Sequence, residues 1–323
     1  MGDFNGKVGF VGLGNVGSKL AGSLLRNGVD LCVHDFNREL VDSFVEKGAG
    51  SVSGPAEMMR RCDVVITCLP SPAASTAVVT EMLPHVTRGK TWVEMSTTDE
   101  EELRRLAGLV AEAGGNTAEC PVSGGCHRAD TGNLSIFAGC DSRGVFEEVL
   151  PLLTVLGRRV LHTGPIGSAS KLKVMTNYLG TVNLVSCCEA MTTMKAAGVD
   201  MATCYEAMKM SSGTSFVHET ESQLILSGSR NVNFTMDLVL KDIGLFQKLA
   251  DQHGVPLEVS PLVIDIMKDG QKRFGHRAQS DRIIERLEEA TQLSIRAEGF
   301  PTELIDDEPE ERGYEVKVTR GAG

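Results

Sequence analysis

Three glycines near the start of the chain have a spacing that suits a phosphorylated ligand. They belong to a G-x-G-x-x-G motif, Gly12-Leu13-Gly14-Asn15-Val16-Gly17. The motif follows the apolar segment Val8-Gly9-Phe10-Val11 and precedes a predicted helix from Ser18 to Asn27. Glycines allow a tight turn and let backbone N–H groups at the start of the helix approach a pyrophosphate. This segment is therefore predicted to hold the pyrophosphate of a dinucleotide.

A carboxylate after the next apolar segment indicates which dinucleotide would bind. Asp35 follows Leu31-Cys32-Val33 and lies 18 residues after Gly17. An acid at this place accepts hydrogen bonds from the ribose hydroxyls and repels a 2'-phosphate. The sequence therefore predicts NAD as the cofactor and disfavours NADP. Arg38, close behind, is predicted either to stack on the adenine or to weaken that preference.

Two further turns lie at the ends of predicted strands. Leu69-Pro70 follows Val64–Thr67, and Ser96-Thr97 follows Trp92–Met95. The carboxyl ends of parallel strands meet at one edge of an open sheet, where such sheets bind ligands. We therefore expect both turns to line the cofactor site together with the glycine motif.

The elements that must position these residues change character along the chain. Up to about residue 165, short apolar segments alternate with amphipathic ones, which predicts a mostly parallel sheet covered by helices on both faces. From about Ser168 the pattern is helical, and glycines at 198, 213, 228 and 254 end the segments. The predicted fold class is α/β, an N-terminal Rossmann doubly wound sheet plus a C-terminal all-α domain joined by a long helix.

The predicted domains follow from this division. Residues 1–165 form the NAD-binding Rossmann domain, and 166–299 form an all-helical domain for substrate binding and oligomerisation. The joining helix, about 168–197, is roughly 45 Å long. Residues 300–323 are an acidic tail that we expect to be mobile or to act as an interaction arm.

Composition and charge exclude several classes of protein. The 323 residues carry 32 basic and 43 acidic side chains, a net charge of −11, and 41% are hydrophobic. This field repels a phosphate backbone and the chain has no basic run, so nucleic acid is not an expected partner. The nine cysteines show no C-x-x-C spacing, so neither a metal site nor a disulfide framework is predicted.

No segment of the sequence has the features of a membrane anchor. The uncharged run from Val174 to Cys188 is too short to cross a bilayer. An apolar strand pattern begins at Lys7, with no secretory or lipidation signal before it. We therefore expect no membrane partner and a cytoplasmic location.

Further segments complete a set of five motifs over about residues 6–297, which leaves the tail outside. Besides the glycine motif and Ser96-Thr97, they are Cys120-Pro121-Val122-Ser123-Gly124-Gly125 with Gly132-Asn133-Leu134, Gly167-Ser168-Ala169-Ser170-Lys171-Leu172-Lys173 with Asn177, and Phe234 with Lys241-Asp242. In this order they resemble the β-hydroxyacid dehydrogenase family, which includes 3-hydroxyisobutyrate dehydrogenase, tartronate semialdehyde reductase and the glyoxylate/succinic semialdehyde reductases.

The resemblance implies a role for each of these residues. Lys173 would be the catalytic acid/base, because a hydroxyl that loses hydride from its carbon must also lose its proton. An amine takes that proton if burial or a nearby positive nicotinamide lowers its pKa toward neutrality. The other implied roles are substrate binding by Ser123, Gly124, Gly125, Asn177, Phe234 and Asp242, and cofactor binding by Leu69, Pro70, Thr97 and Lys241.

Two lysines compete for the catalytic role. In the family, lysine stands four residues after the second glycine of its turn, and asparagine four residues after that lysine. Lys173 and Asn177 keep this register only if Ala169 replaces that glycine, whereas Lys171 does not keep it. Residues four apart share a face of a helix, so Lys173 and Asn177 can serve one cleft. We expect Lys171 to be a solvated helix residue.

One departure from the family pattern bears on the substrate. Cys126-His127-Arg128-Ala129 follows Gly125, where the family usually has small residues and a Gly-Ala pair. Two interpretations of Arg128 stay open, a surface arginine or a forked donor that holds a second anionic group of the substrate.

The resemblance favours an NAD-dependent oxidoreductase that interconverts a small 3-hydroxy acid, similar to 3-hydroxyisobutyrate, and its semialdehyde. One alternative is a reductase for tartronate semialdehyde or sulfolactaldehyde. Another is a catalytically silent homologue used as a scaffold, against which Ser123, Lys173 and Asn177 argue. Apolar residues between Met175 and Met194 suit a homodimer or homotetramer.

Overall fold

The computed structural model describes residues 4–318, and the chain divides into two compact units. One unit joins the chain up to Lys173 to the segment from Asp306 onward, and the other is Val174–Ile305. The predicted boundary at residues 165 and 166 lies before the long helix, whereas the compact units divide inside that helix.

The first unit is built on one mixed sheet with helices between its strands. The strands are β1 Val8–Val11, β2 Leu31–His34, β3 Gly50–Ser51, β4 Val64–Thr67, β5 Thr91–Glu94, β6 Asn116–Glu119, β7 Val122–Ser123, β8 Leu134–Gly139, β9 Gly157–Gly164 and β10 Tyr314–Val316. The helices are α1 Gly17–Arg26, α2 Arg38–Glu46, α3 Pro55–Arg61, α4 Pro72–Met82, α5 Glu100–Glu112, α6 Gly125–Thr131 and α7 Arg143–Leu156, with a 3₁₀ turn at Leu83–His85.

The strand order creates the switch point at which open α/β sheets bind ligands. The order is β10-β9-β8-β6-β5-β4-β1-β2-β3, with β7 on β8. Among the strands within residues 4–318, only the pairs of β8 with β6 and with β7 are antiparallel. Strand β1 lies between β2 and β4, so the chain runs outward from it in both directions. The glycine motif follows β1 and therefore lies where a dinucleotide is expected.

The central strands are explained by their composition. All four residues of β1, β4 and β5 are buried, because helices cover both faces of the sheet. The predicted sheet and the helical second half are confirmed. Sequence reasoning did not name β6 or β9, whose polar and glycine residues interrupt any apolar run.

The second unit is helical. After β9, α8 Ser168–Ala196 continues from the first unit into the second. It is followed by α9 Met201–Lys209, α10 Phe216–Ser227, α11 Met236–Gln252, α12 Val259–Phe274, a 3₁₀ turn at Ser280–Ile284 and α13 Glu285–Thr291. A core of aliphatic and methionine side chains, including Met191, Ile225, Met236, Ile243 and Met267, packs these helices together.

The tail, expected to be mobile or to act as an interaction arm, contacts the first unit through its described residues from Asp306 onward. Strand β10 pairs in parallel with β9, and the Gly313 N–H donates to the Thr154 carbonyl at 2.7 Å. The physical reason is twofold. An edge strand offers unpaired backbone groups, and the acidic tail meets arginines of the first unit. Among residues 4–318, no helix has both the length and the apolar character to cross a bilayer.

Candidate active site

The turn of the glycine motif requires glycine at two of its three glycine positions. Gly12 has φ +99°, and a Cβ there would lie 2.3 Å from the Cys68 carbonyl oxygen. A Cβ on Gly17 would lie 2.0 Å from the Gly12 carbonyl oxygen. By contrast, a Cβ on Gly14 would meet no atom within 4 Å. Two glycines therefore permit the turn itself, and the third leaves open space in which a pyrophosphate fits.

The structure brings the predicted ribose ligand next to this turn. The Asp35 Oδ2 atom accepts a hydrogen bond from the Leu13 N–H at 2.6 Å, and its Oδ1 atom accepts from the Asn37 N–H at 2.8 Å. These two donors fix the carboxylate at the carboxyl end of β2. Arg38 begins α2 and is exposed. The residues present thus fit the adenosine end of a dinucleotide.

The two predicted turns after β4 and β5 are joined through the Ser96 hydroxyl, a contact that the sequence did not show. The Leu69 N–H donates to the Ser96 hydroxyl at 2.7 Å, and the Ser96 N–H donates to Glu94 Oε1 at 2.8 Å. Burial raises the pKa of Glu94, although hydrogen bonds from Ser96 oppose that shift. Leu69, Pro70 and Thr97 therefore lie at one edge of the sheet.

The loop predicted to hold a substrate carboxylate has a backbone that only glycine adopts easily. Ser123 ends β7 and pairs with Ser135 of β8. Gly124 has φ +134° and Gly125 has φ +83°, and α6 begins at Gly125. A Cβ on Gly124 would lie 3.2 Å from Arg128 Cδ, so even a methyl group would be crowded.

The two competing lysines have different surroundings. Lys173 is buried, with 7% of its surface exposed. The Lys171 side chain is 39% exposed, and its Nζ lies 3.3 Å from the Glu100 carboxylate. Lys171 is thus a paired surface lysine rather than a freely solvated one. Asn177 follows Lys173 by four residues on the continuous helix α8.

A buried glutamate holds the start of α8, and sequence reasoning missed it. Glu119 ends β6 and has no exposed surface. Its Oε1 accepts from the Ala169 N–H at 2.9 Å, and its Oε2 accepts from the Ser170 N–H at 3.0 Å and the Ser170 hydroxyl at 2.6 Å. Burial raises the pKa of Glu119 against these hydrogen bonds. No local pattern signals this contact, because its partners lie about fifty residues further along the chain.

The second unit brings three of the predicted residues together. The Asn177 amide donates to Asp242 Oδ2, and Lys241 Nζ lies 2.6 Å from Asp242 Oδ1. Asp242 is buried, and a buried carboxylate needs such partners because it has lost contact with water. Phe234 is partly buried against the helical core. No group of three or more metal-binding side chains occurs within residues 4–318.

Arg128 pairs with the acidic tail, a contact that neither interpretation from the sequence included. Its Nη2 donates to Glu308 Oε1 at 3.0 Å, and its Nε lies 3.8 Å from Asp306 Oδ1. The acidic tail thus supplies an anionic partner of the kind that the second interpretation assigned to the substrate. The contact spans 180 residues of sequence and has no local signal.

Family models match almost the whole of both predicted domains. Residues 7–164 match the NAD-binding domain of 6-phosphogluconate dehydrogenase, and residues 167–287 match a model described as NAD-binding of NADP-dependent 3-hydroxyisobutyrate dehydrogenase. A solved structure, the 3-hydroxyisobutyrate dehydrogenase from Salmonella typhimurium, has a TM-score of 0.80 at 23% identity, over 87% of this chain and 99% of that one. That similarity shows the fold.

Curated relatives identify the family. The 2-(hydroxymethyl)glutarate dehydrogenase of Eubacterium barkeri is 30% identical over 90% of this chain and 97% of its own length. Mitochondrial 3-hydroxyisobutyrate dehydrogenase of Rattus norvegicus is 31% identical over 77% of each chain. The cytokine-like nuclear factor N-PAC of Homo sapiens is 28% identical over 81% of this chain, which spans about half of N-PAC. The chain therefore belongs to the β-hydroxyacid dehydrogenase family.

Proposed function

We propose that the protein is an NAD-dependent dehydrogenase that interconverts a small 3-hydroxy acid and its semialdehyde, with Lys173 as acid/base. The observation that carries the proposal is the burial of Lys173 on a helix whose first turn is fixed by a buried glutamate. The same unit contains the glycine turn and Asp35, which fit a dinucleotide.

The cofactor preference rests on Asp35. Its carboxylate lies beside the glycine turn and is held there by two backbone N–H groups. A negative charge at this place accepts hydrogen bonds from the ribose hydroxyls of NAD, whereas it repels the 2'-phosphate of NADP. We therefore assign NAD, although one matched family model is named for an NADP-dependent enzyme.

The protein's own residues would divide the work of the reaction. The loop Ser123–Gly125 would bind the substrate carboxylate, and Asn177 would orient the substrate. The amide of Asn177 is itself held by Asp242, which limits its rotation. Lys241 and Thr97 would contact the cofactor. Fixed orientation lowers the barrier because little motion remains to be lost in the transition state.

Oxidation of the alcohol also requires its hydroxyl to lose a proton, and we assign acceptance of that proton to Lys173. Bound NAD⁺ supplies a hydride acceptor. As the C–H bond of the alcohol breaks, the C–O bond becomes a carbonyl and the hydroxyl proton passes to Lys173 Nζ. In the reverse direction the same ammonium returns the proton to the forming alkoxide. A positioned acid/base of this kind contributes about 10²- to 10⁴-fold to the rate.

Location and assembly are part of the same proposal. Met175, Leu179 and Met194 on α8 are exposed apolar side chains, and burying them between copies would favour a homodimer or homotetramer. Light scattering at several protein concentrations would measure the assembly. We assign the protein to the cytoplasm, and imaging of a tagged chain would test that location.

A substrate screen tests the proposed function. Formation of NADH is followed at 340 nm with 3-hydroxyisobutyrate and related monoanionic 3-hydroxy acids, and its consumption with tartronate semialdehyde, succinic semialdehyde and sulfolactaldehyde. Turnover of a 3-hydroxy acid with NAD supports the proposal. Turnover of these three aldehydes alone would favour a reductase. Absence of turnover in a protein that binds NADH would favour a silent scaffold.

A further inference from the structure

The acidic tail binds the first unit through a series of arginines. Besides the backbone pairing of β10, its carboxylates form ion pairs distributed along the tail: Arg128 with Asp306 and Glu308, Arg26 with Glu310, Arg158 with Glu311, and Arg143 with Glu315. The family models end at residue 287, so these contacts belong to a part of the chain that they do not cover.

The first of these contacts is the most buried. The Asp306 side chain is only 3% exposed, and its Oδ2 accepts hydrogen bonds from the Thr131 hydroxyl and from the Asn133 amide. Asn133 also donates to the Glu308 carbonyl at 3.0 Å. Burial opposes ionisation of Asp306, yet these donors together with Arg128 lower its pKa. The tail thus places a stable negative charge beside the guanidinium.

The same arginine contacts the proposed carboxylate loop. Gly124 packs so closely on the stem of Arg128 that a Cβ would lie 3.2 Å from its Cδ and 3.5 Å from its Cβ. The head of Arg128 points to Glu308, and its stem lies against the loop that would bind the substrate. The charged cluster of Arg128, Asp306 and Glu308 therefore adjoins the proposed substrate loop.

We propose that Asp306 and Glu308 are specificity-determining residues that make the site select monoanionic substrates by occupying Arg128. This inference rests on the proposed binding of the substrate carboxylate at Ser123–Gly125. One positive and two negative charges leave the cluster with a net charge of −1. A second carboxylate on the substrate would meet that charge and would find the forked donor already paired.

Removing the two carboxylates that pair with Arg128 should change the preference between monoanionic and dianionic substrates. In the Asp306→Asn/Glu308→Gln double variant, Arg128 keeps its charge and loses both ionic partners, so the cluster changes from −1 to +1. Two units of charge at about 10 Å, in the high effective dielectric near a surface, change the relative binding of a second carboxylate about fivefold or more. The matched control is Asp307→Asn, because Asp307 adjoins both residues in sequence but is exposed.

The experiment measures kcat/KM with NAD for 3-hydroxyisobutyrate, a monoanion, and for 2-(hydroxymethyl)glutarate, a dianion. We expect the dianion-to-monoanion ratio to rise about fivefold or more in the double variant, to stay at the wild-type value in Asp307→Asn, and to fall back when Arg128→Ala is added. A ratio that does not change in a double variant with normal NADH binding would overturn the inference. An equal loss for both substrates would also overturn it, since it would assign the tail a purely structural role.

Activity of the wild type distinguishes failure of this inference from failure of the proposed function. If the wild type oxidises a 3-hydroxy acid and the ratio does not move, only the inference fails. If the wild type oxidises neither acid, both fail. Should the double variant not fold, Glu308→Gln alone removes the more exposed carboxylate. It should shift the ratio in the same direction by a smaller factor, and an unchanged ratio would again overturn the inference.

Discussion

Glu119 binds Ser170 twice, through the backbone N–H and through the hydroxyl. With the third bond from the Ala169 N–H, one buried side chain satisfies donors at the start of α8 that have no partner within the helix. Lys173 follows Ser170 by three residues, which is less than one turn. The sheet strand β6 thereby fixes the part of the helix that carries the proposed acid/base.

The first prediction concerns this anchor. Glu119→Gln places an amide N–H₂ against groups that themselves donate, so the start of the helix should shift. We expect kcat to fall about tenfold or more, because misplacement of a catalytic group is costly, and the Kd of NADH to stay near the wild-type value. Initial rates measure kcat, and stopped-flow fluorescence measures the Kd of NADH.

Ser170→Ala provides the matched comparison, since it removes only the hydroxyl bond and keeps both backbone donors. Its effect on kcat should be clearly smaller. If Glu119→Gln weakened NADH binding and left kcat unchanged, Glu119 would not position Lys173.

The second prediction concerns the cofactor. Wild type should use NAD about 10- to 100-fold better than NADP in kcat/KM, the range expected for hydrogen bonds to a charged group. Asp35→Ser removes the charge that faces the 2' position and should narrow the gap, mainly through KM. Initial rates with both cofactors give the ratio of the two kcat/KM values. Equal kcat/KM values in the wild type would contradict the assignment of NAD.

The third prediction concerns the substrate loop. Gly124→Ala forces a side chain into φ +134° and against Arg128, a strain of about 1–3 kcal/mol. We expect KM for the hydroxy acid to rise about tenfold while NADH binding persists. Gly108→Ala is the control, because a Cβ at this exposed helix position meets no atom within 4 Å. A normal KM in Gly124→Ala would remove Ser123–Gly125 from the substrate site.

The fourth prediction concerns the tail strand. Hydrogen bonds from Arg143 hold the pKa of Glu315 down at about 2. Because the folded pKa lies below the ordinary value of 4.5, the stabilisation is complete above pH 4.5 and is lost as the pH falls toward 2. Glu315→Gln should lower the Tm by about 2–4 °C at pH 7. Calorimetry should show the difference from wild type shrinking as the pH falls from 4.5 to 2.

Glu147→Gln is the control for this measurement. Glu147 also pairs with Arg143, but its side chain is 60% exposed, and exposed ion pairs contribute little to stability. A Glu315→Gln variant no less stable than Glu147→Gln would show that the tail is not held by this pair.

Much of the fold was predictable because buried strands and helices have recognisable apolar patterns in the local sequence. Strands β1 and β4 read as apolar runs, since both of their faces are covered. Strand β6, Asn116–Glu119, lacks such a run and is defined by its neighbours in the sheet. Strand β10 has three residues and exists because the edge of β9 is free to pair with it.

The candidate site divides in the same way. The glycine motif and Asp35 were predictable because the turn, the strand and the acid lie close together in sequence. Glu119 and the partners of Ser96 and Arg128 were not, because each of these contacts joins distant segments of the chain. A polar residue's type shows that it needs a partner, but only the tertiary structure shows which partner it has.

The most direct test compares Lys173→Ala with Lys171→Ala. Both remove a lysine from the same turn of α8, but Lys173 is buried and Lys171 is a surface residue paired with Glu100. Steady-state rates with NAD and the best hydroxy acid of the screen should show kcat reduced about 10²- to 10⁴-fold in Lys173→Ala, with normal NADH binding, and a mild effect in Lys171→Ala. A crippled Lys171→Ala beside an active Lys173→Ala would contradict the assignment of the acid/base.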